Sequence, residues 1–276
     1  MQDDSFFSDL APDDAHPRAP RGIQSVEVGG QLLKALAHTG RRMALKDLAR
    51  AAGMTPAKAH PYLVSFGKLG LITQDPVSGH YGLGPLAIQL GLISLQQLDP
   101  IRLAIAQLPA LAQQIQATVA ISVWGTHGPT IIRVEESPTD VHVAMRHGTN
   151  ASVRLTASGK VLAAFMPRQQ VEAALAQDGH AGLLDQPDFA AEIEAIRRDR
   201  ISVVSGGLVA GIGAIAVPVF DGFGHVALSI SAIGPSATLD LQPDGAAAQA
   251  LHATAQALSR QLGAPATPQD LSPSAS

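Results

Sequence analysis

Residues 44–84 read ALKDLARAAGMTPAKAHPYLVSFGKLGLITQDPVSGHYGLG. The first ten residues form a short amphipathic helix, with Leu45, Leu48 and Ala52 on one face and Gly53 as the stop. Residues 55–70 form a second helix. Thr55 is its N-cap, and Pro56 takes the first helical position, where a missing N–H costs nothing. Ala59, Leu63 and Phe66 face inward, and Gly70 ends the helix. Residues 71–84 alternate apolar and polar around Pro76-Val77-Ser78-Gly79, which predicts a β-hairpin. Helix, tight turn, helix and hairpin make a winged helix-turn-helix, whose second helix is shaped for the DNA major groove. Two short helices and a glycine turn are also a common packing unit, so the pattern alone leaves both uses open.

Charge separates them. Between Pro20 and Pro85 eight Lys and Arg stand against three Asp and Glu, while the whole chain of 276 residues carries a formal net charge of −4. A basic segment on an otherwise acidic chain is the footprint of a phosphate-binding module. Arg41 and Arg42 precede the first helix of the pair, Lys58 lies at the start of the second, and Thr55 and His60 accompany it. These five are the candidate DNA-binding residues. Pro61 is out of place. In a helix that starts at Pro56 its missing N–H is the one that should bond the Ala57 carbonyl, a cost of roughly 3 kcal/mol in a helix interior. It predicts a bent recognition helix with fewer polar base contacts.

Working outward, Ile23 to His38 forms a helix with Val28, Leu32, Leu33 and Leu36 as its stripe and Ser25 as its cap. Residues 1–20 are acidic and proline-spotted, and disorder is expected there and again over 264–276. After the wing, LAIQLGLISLQQL is strongly apolar. It either packs on its own domain or serves as a linker helix over 85–99 that pairs subunits. Leu86, Leu90, Ile93 and Leu98 beside Ile88, Leu92 and Leu95 favour the second use. One helix, IRLAIAQLPALAQQIQA, follows Asp99-Pro100. Strands are expected at TVAISVWG, TIIRVEES and VHVAMRHG, then helices at TASGKVLAAFM, MPRQQVEAALAQ and DFAAEIEAIRRD. Strands return at ISVVSGGLV, AIAVPVFD and HVALSISAI, and a last amphipathic helix closes the chain. The pattern is α+β.

Several function classes fall away. With no cysteine there is no disulfide, thiolate metal site or cysteine nucleophile, and a reducing cytoplasm is compatible with that. The N-terminus has neither a basic start nor a long apolar core, and no apolar run reaches membrane-spanning length. GIGAIA at 211–216 matches Gly-x-Gly-x-x-Ala but runs into a strand rather than a helix, which argues against a dinucleotide. Ser65-Phe-Gly-Lys68 lacks the partner motifs of a Ser-x-x-Lys enzyme. His142 and His147 near Glu135 and Glu136 lack metal-ligand spacing, so no metal and no cofactor is expected. No nucleophile or acid–base pair can be assembled, and the chain is not read as an enzyme.

The stretch from IQSVEVGG to GPLAIQLG resembles the N-terminal domain of the isocitrate-lyase-regulator (IclR) family of bacterial transcription factors. The similarity continues through LTASGKVLAAFMP, GLVAGIGAIAVPVFD and HVALSISAIGP to the final helix, roughly Gly22 to Gly263 in the family's order. It implies a winged helix-turn-helix over 21–84 and a GAF-like effector domain over 100–263, an antiparallel sheet with a ligand cavity on one face. The partners implied are operator DNA, a small acidic metabolite, and a second copy of the chain in a homodimer or a dimer of dimers. By resemblance, the backbone at Ala157 and Ser158 takes the ligand's anionic group, and Ser229 and Ser231 hydrogen-bond the ligand. Trp124 and Arg146 are the candidate wall and anion partner, and a purely structural role for both stays open. Where some members carry an acidic residue this chain has Val204, where some carry cysteine it has Ala214, and where many carry arginine it has Pro61. The ligand is therefore expected to be different, and larger or less polar. Two alternatives stay open on the residues: a ligand-binding member with weakened DNA binding, and a small-molecule enzyme with a helical oligomerisation module.

Overall fold

The computed structural model describes residues 22–136 and 148–264. Its contacts divide the chain between Gln96 and Gln97 into two compact units. The strand expected at VHVAMRHG, the His142 and His147 pair, the N-terminal segment to residue 20 and the tail beyond Ala264 lie outside the described residues.

The N-terminal unit has three core helices, α1 (Gln24–Thr39), α2 (Leu45–Ala51) and α3 (Pro56–Lys68). A two-stranded antiparallel wing follows, β1 (Ile72–Gln74) and β2 (Tyr81–Leu83). Ser25 does not cap α1: the N-cap is Ile23, which has no capping side chain, because the helix starts one residue before Ser25. Leu32 and Leu36 of α1, Leu48 of α2, Ala59 and Leu63 of α3 and Ile72 of the wing make the core. Gly29 lets α1 approach α3, since a Cβ there would sit 2.8 Å from Tyr62 and 3.0 Å from Phe66. One tie was not visible in the sequence. Met43 pairs with Tyr81 as an isolated antiparallel bridge, its N–H donating to the Tyr81 carbonyl (2.9 Å) and the Tyr81 N–H donating back (2.8 Å). The segment before α2 is thereby pinned to the second wing strand through one residue.

Helix α4 (Pro85–Gln97) leaves Ile88, Leu90, Leu92 and Ile93 exposed. Leu98, expected to continue its apolar face, instead packs on the core of the C-terminal unit.

In the C-terminal unit the helix expected over 101–117 is two. Asp99 caps α5 (Pro100–Ile105), its carboxylate accepting from the Ile101 and Arg102 N–H groups, and α6 (Leu108–Ile115) follows. Pro109 supplies the break: it has no N–H for the Ile105 carbonyl, but at the second position of a new helix that N–H is not needed. The sheet comprises β3 (Thr118–Gly125), β4 (Gly128–Glu135), β5 (Ser202–Ser205), β6 (Ile212–Phe220) and β7 (Val226–Pro235). Its order is β4-β3-β7-β6-β5, antiparallel throughout. Between β4 and β5 lie α7 (Ala157–Phe165), α8 (Arg168–Gln177) and α9 (Pro187–Asp199), and α10 (Ala246–Gln261) comes last.

Alternation along the strands makes two layers. Val119 and Ile121 of β3, Val217 of β6 and Leu228, Ile230 and Ala232 of β7 pack with α5, α6 and α10. The other face carries Ala214 and Ala216 of β6 with Ser229 and Ser231 of β7, and on it α7 and α9 build a second core around Val161, Phe189 and Ile193. Pro218 is tolerated in β6 because β5 pairs no further than Ala216, so from there on β6 is an edge on that side.

Candidate functional site

Two sites were expected, one in each unit. On the N-terminal unit, Thr55 caps α3 by accepting the Lys58 N–H at 3.4 Å. The buried stripe of α3 is Ala59 and Leu63, with Tyr62 and Phe66 half-buried, which turns Lys58, His60, Pro61, Val64 and Lys68 outward. Apart from Lys58, His60 and Lys68 this outer face is short or apolar. The Ser65 hydroxyl donates to the Pro61 carbonyl at 3.0 Å, so the Ser-x-x-Lys match is local helix packing. Arg41 is exposed and makes no ion pair among the described residues. Arg42 is different. Its guanidinium donates to Asp75 at 2.7 Å and its stem lies over Gly82, where a Cβ would come within 2.8 Å of the Arg42 Cγ. Part of its charge is therefore spent on holding the wing. Asp75 also organises the wing turn, accepting from the Ser78 N–H (2.8 Å), the Ser78 hydroxyl (3.0 Å) and the Val77 N–H (3.0 Å). Those hydrogen bonds, the Ser78 N–H foremost, and the nearby Arg42 hold its carboxyl below the ordinary aspartate value.

On the C-terminal unit a cavity of about 310 Å³ opens where the start of α7 meets the open face of the sheet. Its wall includes Thr156, Ala157 and Ser158 from the helix start, Val204 from β5, Ala214 from β6 and Ser231 from β7. Leu155 and Asn150 come from the segment before α7, and Leu208 and Val209 from the turn between β5 and β6. No described residue of the wall carries a charge. Thr156 caps α7: its hydroxyl accepts the Gly159 N–H at 3.0 Å and donates to the Ser152 carbonyl at 2.8 Å. The first-turn N–H groups of Ala157 and Ser158 have no carbonyl to reach within their own helix, and both residues are buried. Gly159 makes the close approach possible, because a Cβ there would stand 2.3 Å from the Ser152 carbonyl oxygen.

The expected site residues separate into groups. Ala157, Ser158 and Ser231 come together in this cavity. Ser229 does not join them. It lies on the same sheet face but two residues along β7, wholly buried, opposite Ser122 of β3 and Pro218 of β6. Neither the Ser229 nor the Ser122 hydroxyl has a hydrogen-bond partner, an arrangement that costs about 1–3 kcal/mol for each group. Trp124 is also elsewhere. It is four residues along β3 from Ala120, the residue that pairs with Ser231, and it borders a separate hollow with His127 and Gln170 beside α8. Arg146 lies outside the described residues. The sequence reading missed Leu155, Leu208 and Val209; two exposed apolar residues between Gly207 and Gly211 were the available signal. GIGAIA enters strand β6, as its sequence context required.

Residues 93–260 match the family model described as bacterial transcriptional regulator IclR C-terminal, and residues 25–76 match the IclR helix-turn-helix domain. The chain belongs to the IclR family of bacterial transcriptional regulators. Among IclR relatives, the glycerol operon regulatory protein of Streptomyces coelicolor is 30% identical over 261 residues, covering 88% of this chain and 98% of its own. The transcriptional regulator KdgR of Dickeya chrysanthemi is 25% identical over 89% of this chain and 82% of its own. The crystal structure of Pseudomonas aeruginosa HmgR superposes with a TM-score of 0.80 at 34% identity, covering 89% of this chain and all of that one. The first two relatives are named as regulators, and the matched helix-turn-helix domain makes the N-terminal unit of this IclR member a DNA-binding module. No helix among the described residues is long and apolar enough to cross a membrane.

Proposed function

We propose that this regulator binds operator DNA as a dimer and that a small carboxylate-bearing metabolite in the C-terminal cavity sets its DNA affinity. One observation carries the ligand half: the first turn of α7, at the buried residues Ala157 and Ser158, lines a cavity whose described wall is uncharged. Aligned N–H groups at a helix start suit an anion, and a low-dielectric surrounding strengthens the contact. Ser231 completes the site. Its hydroxyl reaches the Ala120 carbonyl only at 3.5 Å, so turning to a ligand oxygen forfeits little.

On the DNA side Lys58 and Arg41 neutralise phosphate, Thr55 sets the start of the recognition helix, and His60 lies on its outer face. Arg42 contributes less, because Asp75 offsets it. The exposed Ile88, Leu90, Leu92 and Ile93 of α4 supply an apolar surface for the second subunit. The metabolite regulates only through unequal affinity for the DNA-competent and incompetent states. The reading is tested on DNA upstream of the protein's own gene, titrated with and without a metabolite panel. Ser231→Ala should respond only at higher metabolite concentration. A response at the parent's concentration would place the effector elsewhere. Pro61 favours a second reading, a member with weakened DNA binding; absence of any upstream-DNA complex at low salt would select it.

A further inference from the structure

We infer that Asp75 sets the DNA affinity of this regulator by competing with phosphate for Arg42. This rests on the proposed DNA face, which turns Arg41, Arg42 and Lys58 toward phosphate. The two oxygens of the Asp75 carboxylate have separate partners. Oδ1 accepts from the Val77 N–H, the Ser78 N–H and the Ser78 hydroxyl, and so holds the wing turn. Oδ2 accepts from Nη1 of Arg42 at 2.7 Å. One oxygen builds the turn, and the other draws in a cation from the segment before α2.

The fold supplies the route from Arg42 to Asp75. The Met43–Tyr81 bridge sets the preceding Arg42 against Gly82 of β2, and Gly82 pairs with Thr73 of β1. The arginine stem crosses the wing at Gly82, where a Cβ would stand 2.8 Å from its Cγ and 3.5 Å from its Nε. Asp75, two residues beyond Thr73, meets the guanidinium on the other side. An exposed ion pair between two freely moving side chains contributes little. Here three hydrogen bonds fix the carboxylate and the glycine seats the stem, so less ordering entropy opposes the pair. Half of the Arg42 side chain is still exposed. A phosphate oxygen and Oδ2 offer the guanidinium the same kind of charge-assisted hydrogen bond. DNA therefore gains from Arg42 only what Asp75 gives up. Arg41, one residue earlier, has no such competitor among the described residues.

The test is fluorescence anisotropy of the full chain on a labelled duplex from upstream of its own gene, over a range of salt. Asp75→Asn keeps an acceptor oxygen for the turn but puts an NH2 group, which cannot accept, against Arg42. It should tighten binding about fivefold at low salt and steepen the slope of log K against log salt by about one. Both gains should vanish when Arg42→Ala is added. That double-mutant cycle separates release of Arg42 from the simple loss of a negative charge. Thermal melting and the Val77 and Ser78 amide signals show whether the turn survives in Asp75→Asn. If it does not, Gly82→Ala, which displaces the Arg42 stem and keeps Asp75, decides by the same change in slope. Unchanged or weaker binding by a folded Asp75→Asn overturns the inference, and so does a gain that persists with Arg42→Ala. In either case a loss of affinity in Lys58→Ala leaves the DNA face standing, whereas no change in Lys58→Ala overturns the face as well. No complex from the parent or from Asp75→Asn at low salt also overturns the inference.

Discussion

Helices α3 and α7 begin with the same four-residue device in opposite surroundings. Each has a threonine N-cap in extended backbone, Thr55 and Thr156, whose hydroxyl accepts the N–H three residues on. At that third position α3 carries Lys58, exposed to solvent, and α7 carries Gly159, buried against the Ser152 carbonyl. One start offers an anion a mobile cation in water; the other offers fixed N–H dipoles in an uncharged hollow. The first arrangement suits a polymer of phosphates approached over a long range. The second suits one small anion held by geometry. The two helix starts differ in context, not in the cap.

The comparison breaks most visibly with glycine. Gly159→Ala puts a methyl group within 2.3 Å of backbone, so something must shift. Destabilisation by about 1–3 kcal/mol is expected, with loss of the metabolite response. In α3, Gly67→Ala meets nothing closer than 3.9 Å and should stabilise by about 0.5–1 kcal/mol, the ordinary helix effect. Paired thermal melts check the opposite signs. Pro61→Arg restores the missing N–H and adds a cation, and should tighten operator binding at every salt concentration, read by fluorescence anisotropy. If it binds no better, the proline does not limit recognition.

Salt sharpens the contrast. Operator affinity should fall steeply with salt, and Lys58→Ala should lower that slope by about one. Metabolite affinity should change little over the same range, because the contacts offered there are backbone N–H groups and a hydroxyl rather than fixed charges. Equal salt sensitivity at both sites would erase the distinction. The smallest effect concerns the wing. The Asp75 carboxyl titrates below its ordinary value, so its contribution is complete above about pH 4 and disappears as pH falls through the folded value. Amide signals of Val77 and Ser78 should shift below pH 4 in the parent and be already displaced at neutral pH in Asp75→Ala.

Much of this fold was legible because local chemistry decided it. Thr55-Pro56 and Thr156 mark helix starts through caps, and the Ser229–Ile230–Ser231 alternation assigns sheet faces. Residues brought together across long stretches of chain were not legible. Arg42 meets Asp75, and Val204 meets Ala214, only through strand registers set by the rest of the fold. The same holds for Ser229, where alternation gives the face but not the distance along the strand from the cavity, and for Trp124, which borders a separate hollow. Pro109 was readable in principle, since an interior proline at that spacing ends one helix and starts another.

The Met43–Tyr81 bridge has a consequence for how the DNA-binding unit moves. Two mutual hydrogen bonds join the segment before α2 to the second wing strand, so α2, α3 and β1 all lie within one closed circuit of chain. The wing tip can flutter, but β2 cannot peel away without also releasing the entry to α2. Opening of the wing is thereby coupled to opening of the entry to α2, and matching exchange rates for the Met43 and Tyr81 amides are the expected signature.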